Sequence, residues 1–347
     1  MARPPRLPAS RAPAPAPAGP AVRARGLGKT YSVPEREPGL RAALRSLWRR
    51  RVREVSAVDG ISFEIAPGEV VGFLGPNGAG KTTTLKMLAG LLHPSAGQAE
   101  VLGWTPALRQ PEFLQRITLV TGQRSQLNWD IPAADSFELH RAVYRIPPAE
   151  FRRTVAELDA MLDLGPLLSR PVRNLSLGER MKCEVAVSLL HRPQVLFLDE
   201  PTIGLDVVAQ RRIRAFLADY NRRTGATVLL TSHYMADVEA LCRRVIVIHQ
   251  GRLLFDGQLE ALVSRFRPYR TIVVRPSDPA ADLRGYGEVV ASEDGEVTLR
   301  VPRATAAAVT GRILADVAVL DLTVQDPPIE DVVEHVFTAP SLAEGPP

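Results

Sequence analysis

Apolar positions along the chain fall into two rhythms. Short continuous apolar runs stand at Glu69-Val70-Val71-Gly72-Phe73-Leu74, at Gln194-Val195-Leu196-Phe197-Leu198-Asp199 and at Ala226-Thr227-Val228-Leu229-Leu230-Thr231. Runs of that length predict strands buried in a parallel sheet. Ile61-Ser62-Phe63-Glu64-Ile65 reads as a further strand. Helical spacing fills the intervals: Thr83 to Leu92 directly after the first run, then most of Arg124 to Lys182, with Ala134 to Tyr144 and Pro148 to Leu162 the clearest stretches. After Leu262 the pattern changes. Arg270 to Arg275, Val297 to Val301 and Val317 to Gln325 read as strands, and Ala304 to Leu314 and Ile329 to Phe337 as helices, which makes a small second αβ domain over 268–338.

Two stretches break the pattern. Residues 1–21 are rich in Pro, Ala and Arg and carry too little apolar surface for a core, so they predict a disordered tail, as does the Pro/Gly-containing end at 339–347. Within 34–56, Leu40, Ala43, Leu44, Leu47, Trp48, Val52 and Val55 fall on one side of a helix, with Arg41, Arg45, Arg49 and Arg53 elsewhere and Arg51 intruding on the apolar side. This predicts a basic amphipathic insertion, packed on the protein or on a partner, or lying on an anionic membrane surface.

Composition narrows the class. At 347 residues the chain is long enough for two domains. No run approaches the roughly 18–20 apolar residues that cross a membrane, and the N-terminus has no apolar segment of a signal peptide. Cys183 and Cys242 are the only cysteines; both lie in helical patterns and read as inert core thiols rather than a disulfide framework. The net charge of +5 comes from arginines spread along the chain, without the basic-aromatic clustering of a nucleic-acid surface, so no nucleic-acid partner is expected. Lysine occurs only at Lys29, Lys81, Lys86 and Lys182.

Lys81 belongs to the main chemical feature, Gly75-Pro76-Asn77-Gly78-Ala79-Gly80-Lys81-Thr82. It fits G-x-x-x-x-G-K-[ST] between a strand and a helix, the context in which backbone N–H groups cradle phosphates. Lys81 then reaches the β/γ oxygens and the Thr82 hydroxyl ligates Mg²⁺. A second apolar strand ends in Asp199-Glu200, carboxylates at the sheet edge where open α/β folds bind ligands. Asp199 can hold Mg²⁺ through water and Glu200 can orient or deprotonate an attacking water. The third ends in Ser232-His233, at the same edge.

Taken together and in order, these motifs resemble the nucleotide-binding subunit of ATP-binding cassette (ABC) transporters, over roughly Val22 to Leu262. The resemblance implies a P-loop α/β cassette (22–264) with a mixed-sheet core and a helical subdomain (124–182), and likens the C-terminal domain to that of drug-resistance-type bacterial exporter ATPases. It makes Gly75 to Thr83 (Thr83 included) the phosphate loop and Gln123 a loop glutamine that joins catalysis and Mg²⁺ binding. Leu175-Ser176-Leu177-Gly178-Glu179 becomes the signature, with Ser176 and Gly178 facing the γ-phosphate, and Asp206 closes the following loop. His233 is then the switch histidine, and Tyr31 the aromatic that stacks on adenine. The usual signature has Gly and Gln where this chain has Leu177 and Glu179; leucine resists positive φ, so position 177 must take an ordinary backbone conformation.

The resemblance further implies ATP and Mg²⁺ as ligands. The partners it implies are transmembrane permease subunits and a second cassette chain, as homodimer or heterodimer, at the cytoplasmic face of a bacterial membrane. Export is the expected direction. An import ATPase and a non-transport ABC ATPase for nucleic acid or ribosome are the alternatives. Against the last, the interval from Lys81 to Ser176 holds only an ordinary helical subdomain, and the chain has one phosphate loop.

Overall fold

The continuous apolar runs become the strands of one sheet in the computed structural model, which describes residues 19–34, 52–122, 125–232, 234–266, 269–278, 281–293 and 295–325. The chain divides into two compact units, Met1–Asp256 and Gly257–Pro347. In the first, β1 (Val22–Pro34), β2 (Val52–Ile65) and β4 (Ala96–Val101) form an antiparallel sheet in the order β2-β1-β4. The second sheet has six strands: β3 (Val70–Leu74), β5 (Ile117–Thr121), β6 (Val195–Asp199), β7 (Thr227–Thr231), β8 (Arg244–His249) and β9 (Arg252–Gln258). Its order is β5-β6-β7-β3-β8-β9, and the pairs from β5 through β8 are parallel.

That order places the site. Parallel strands end at one edge, so the residues after Leu74, Asp199 and Thr231 converge there. β6 and β7 are buried along their whole length, which is why their sequences run apolar without alternation. A shared core fixes the sheet against the antiparallel one: Val22, Leu27, Ile61 and Phe63 pack in one cluster with Phe73, Leu85, Leu88, Phe197 and Ile246.

Among the described residues the helices longer than four residues are α1 (Lys81–Leu88), α2 (Ala133–Val143), α3 (Pro148–Leu162), α4 (Leu177–Leu189), α5 (Val207–Thr224), α6 (Met235–Leu241), α7 (Leu259–Phe266) and α8 (Ala306–Asp316). The helix expected over Thr83–Leu92 starts two residues earlier and stops at Leu88. Cys183 lies within α4, whereas Cys242 follows α6 instead of lying inside a helix; burial pushes both thiols up to about 12, so neither is a ready nucleophile.

The second unit is a four-stranded antiparallel sheet, β10 (Tyr269–Pro276), β11 (Glu288–Glu293), β12 (Glu296–Pro302) and β13 (Val319–Gln325), in the order β11-β12-β10-β13. Ile272, Val274, Leu299 and Val301 form its core with Ile313 of α8.

One expectation is corrected. Val52, Arg53 and Val55 are not helical: they belong to β2, where Val55 pairs with Tyr31 and Val52 with Pro34. The remainder of the expected insertion (35–51), both expected tails apart from residues 19–21, and the helix expected over Ile329–Phe337 lie outside the described residues.

Candidate active site

The loop between β3 and α1 is shaped by its glycines. Gly80 has φ +106, and a Cβ there would meet the Ala57 carbonyl oxygen at 2.4 Å; a Cβ on Gly75 would meet the Ile248 carbonyl oxygen at 2.2 Å. Any larger residue at either position would displace backbone, so the close turn needs glycine. Inside it Lys81 is buried at 6% exposure, and its Nζ donates to the carbonyl oxygens of Gly75 (2.6 Å) and Pro76 (3.1 Å). Burial lowers the Lys81 pKa, and the charges of Glu200 and Asp199 oppose that shift.

The acids at the end of β6 reach the same loop. Thr82 Oγ1 lies 2.9 Å from Asp199 Oδ2 and 3.1 Å from Oδ1. Thr231, fully buried at the end of β7, donates its hydroxyl to Asp199 Oδ1 at 2.8 Å and accepts the Glu200 N–H at 3.1 Å. One hydroxyl therefore holds the Asp199 carboxylate and the Glu200 backbone. Glu200 has φ +56, a backbone conformation a non-glycine residue holds only where its surroundings dictate it. Next to these groups is a cavity of about 100 Å³ lined by Thr82, Lys86, Thr121, Gly122, Asp199, Glu200 and Ile203.

A second polar cluster, unforeseen from the sequence, braces this edge. Asp237 of α6 is 1% exposed; its Oδ2 accepts the hydroxyls of Thr202 and, at 2.7 Å, of Ser232, and its Oδ1 accepts from Arg214 Nη1 of α5 at 2.9 Å. The segment after Glu200 and the residue before His233 are thus tied to one carboxylate. No sequence signal separated Thr231, Ser232 or Asp237 from ordinary strand-end and helix-start residues.

The other expected residues are placed as follows. Gly75, Pro76, Asn77, Gly78, Ala79, Gly80, Lys81, Thr82 and Thr83 form the loop and the start of α1, where Thr82 meets Asp199 at the end of β6, with Glu200 next in the chain. Tyr31 is on β1, 36% exposed, with Lys29 Nζ 5.5 Å from its ring centre. Asp206 caps α5 by accepting the Ala209 N–H at 2.8 Å. Ser176 caps α4, and Leu177 opens that helix with ordinary helical backbone, as its side chain demands. The start of this helix packs beside α5 and the segment before it: a Cβ on Gly178 would lie 3.2 Å from Ala209, and one on Gly204 3.0 Å from Leu177. Gln123 and His233 lie outside the described residues.

The donor set suits Mg²⁺. Among the described residues no group of three or more His, Cys, Asp or Glu could hold a metal. Mg²⁺ does not need such a cage, because it is commonly bound through one or two carboxylates and substrate phosphates. The Thr82 hydroxyl and the Asp199 carboxylate, already in contact beside the cradle, fit that mode.

A glycine-shaped phosphate cradle with a buried lysine, at the carboxyl edge of a parallel sheet ending in two acids, defines a P-loop nucleotide-binding protein. Comparison makes the class narrower. Residues 58–203 match the ABC transporter family, and residues 268–325 match the C-terminal domain of EvrA-like ABC transporters. The chain is 37% identical over 208 residues to the ABC transporter ATP-binding protein NatA of Bacillus subtilis, which covers 60% of this chain and 84% of that protein. It is 37% identical over 220 residues to the Nod factor export ATP-binding protein I of Ralstonia nicotianae, 62% of this chain and 67% of the relative. A dimeric ATP-binding cassette solved in a post-hydrolysis state with ADP and Pi shares the fold, with TM-score 0.57, 24% identity and coverage of 69% and 98%. The chain belongs to the ATP-binding proteins of ABC transporters and is an ATPase.

Proposed function

We propose that this ATPase energises export of a substrate through separate transmembrane permease subunits, at the cytoplasmic face of the membrane. The export direction is supported by the similarity to a Nod factor export protein. Among the described residues no helix is long and apolar enough to cross a membrane; in this reading the permease subunits provide the path.

The observation that carries the catalytic reading is the contact chain Thr82–Asp199–Thr231–Glu200 at the mouth of the phosphate loop. Gly75 to Thr83 would wrap the phosphates, Lys81 would neutralise the β/γ oxygens, and Tyr31 would stack on adenine. Thr82 and Asp199, with Gln123, would hold Mg²⁺, which supplies charge neutralisation on the phosphates when bound. Glu200 Oε would take a proton as water attacks the γ-phosphorus and the bond to ADP breaks, leaving Pi. His233 would bridge towards the γ-phosphate. Ser176, Gly178 and Asp206 would serve the nucleotide of a second cassette.

Glu200→Gln tests this reading. The variant is expected to bind ATP and to hydrolyse it about 10²- to 10⁴-fold more slowly, the range for loss of a positioned base. Near-normal turnover in a steady-state phosphate-release assay would rule out Glu200 as the base.

A further inference from the structure

The departure at position 179 has a partner. Glu179 is the third residue of α4; its Oε2 accepts the Ser176 N–H at 2.8 Å, while the Ser176 hydroxyl accepts the Glu179 N–H at 3.3 Å, a reciprocal capping box. Its other oxygen, Oε1, accepts from Arg170 Nη1 at 2.9 Å, and Arg170 Nη2 donates to the Asn174 carbonyl oxygen at 2.5 Å. The two side chains are 41% and 31% exposed. A glutamine at 179, usual in the family this chain resembles, could cap Ser176 through its amide oxygen and would bring no charge. A glutamate brings a full negative charge to the helix end that carries Ser176, the residue that under the proposed function receives a triphosphate. Bonds from the Ser176 backbone N–H, the Ser176 hydroxyl and Arg170 hold the Glu179 pKa below the ordinary carboxylate range, so the charge is present near neutral pH.

We propose that Arg170 is a positioning residue of the 175–179 motif: its guanidinium cancels the Glu179 charge and, through Glu179 and Asn174, fixes the helix end that presents Ser176 to the nucleotide of the second cassette. The inference rests on the reading of 175–179 as the half-site for that nucleotide. Arg170 touches no substrate; it acts through Glu179. Its need follows from the glutamate, so the two residues form one unit: a cation at 170 matters because 179 is acidic.

The test is a double-mutant cycle on the full chain with MgATP: wild type, Arg170→Gln, Glu179→Gln and the double variant, with Arg170→Lys as the conservative change. Arg170→Gln is expected to lower kcat about 3- to 10-fold in the presence of Glu179, the span from an exposed pair to a charge-assisted bond. The affinity of a single chain for ATP, measured calorimetrically, should stay constant, because that site uses the chain's own loop. The loss should shrink as salt rises, and Arg170→Lys should recover most of the rate. In the Glu179→Gln background the same Arg170 change should cost under about twofold, the residual expected when no charge is left to pair. An equal loss in both backgrounds overturns the proposal and reduces Arg170 to a structural brace on Asn174; so does an Arg170→Gln chain of wild-type rate. Ser176→Arg, run in parallel, separates the two readings: if it too is fully active, the half-site reading itself fails, and if it is inactive while Arg170→Gln is normal, only the role of Arg170 fails.

Discussion

Thr231 shows what single residues do at this edge. Its hydroxyl gives its one proton to Asp199 and takes the Glu200 N–H, so a single buried oxygen ties the Asp199 carboxylate to the Glu200 backbone. Thr231→Val keeps the shape and removes both bonds, although Glu200 N–H retains the Thr231 carbonyl oxygen at 3.1 Å. Loss of such bonds costs on the order of 1–2 kcal/mol of stability, so the melting temperature is expected to fall by a few degrees, and kcat about 10-fold as the Asp199 carboxylate loses its anchor. A rate within twofold of wild type would show that the acids hold their places without it. The sequence displayed Lys81, Asp199 and Glu200 because phosphate chemistry demands those types at fixed spacing. It hid Thr231 and Asp237, because a threonine at a strand end and an aspartate in a first helical turn are also common for purely local reasons. Their role exists only once β6, β7 and α6 are adjacent.

At the scale of elements, the buried parallel strands β3, β6 and β7 were legible, whereas of β2 only the stretch from Ile61 to Ile65 was. β6 and β7 are buried on both faces and announce themselves as apolar runs. In β2, by contrast, Val52, Val55, Val58 and Ile61 recur every third residue, a helical rhythm. Register shifts in its pairing with β1, between Ala24 and Leu27 and again to Thr30, break the period of two that a regular strand would show. Tertiary pairing overrode the local pattern.

Packing between elements also creates acid sensitivity. His191, just beyond α4, stacks on Tyr144 beside α2 with ring centres 3.9 Å apart, and its Nε2 lies 3.0 Å from the Ile117 carbonyl oxygen of β5. Desolvation drops its pKa from 6.5 to about 4, with the Ile117 contact opposing and His140 adding. The folded chain thus binds this proton less readily than the unfolded one. The associated stability is complete above pH 6.5 and is lost as pH falls towards 4. His191→Gln keeps a donor for Ile117 and removes the titration. Urea unfolding at pH 7.5 and pH 5 should show the stability difference between the two conditions reduced by about 2 kcal/mol in the variant. An unchanged difference would show that His191 is not a buried neutral group.

At the scale of the whole molecule, the phosphate loop and the Ser176 helix end belong to one chain but face different tasks, which is why the active form is read as a pair of chains. Both motifs were legible in the sequence as runs of residues; that they would serve different nucleotides belongs to the proposed function and depends on a second chain. The second unit was legible as strands and a helix, and its core residues Ile272, Val274 and Ile313 fall within the segments expected.

The most direct test of the shared site mixes two inactive chains. Ser176→Arg is expected to keep ATP binding and lose turnover; Lys81→Ala is expected to lose tight ATP binding as well. In a mixed dimer one site lacks both residues and the other keeps Lys81 from one chain and Ser176 from its partner. With random pairing, half the dimers are mixed and half of their sites are intact, so the mixture should recover about a quarter of the wild-type ATPase rate per chain if an intact site turns over alone. Wild-type hydrolysis by Ser176→Arg alone, or a mixture no more active than its two components, would contradict a nucleotide site shared between two cassettes.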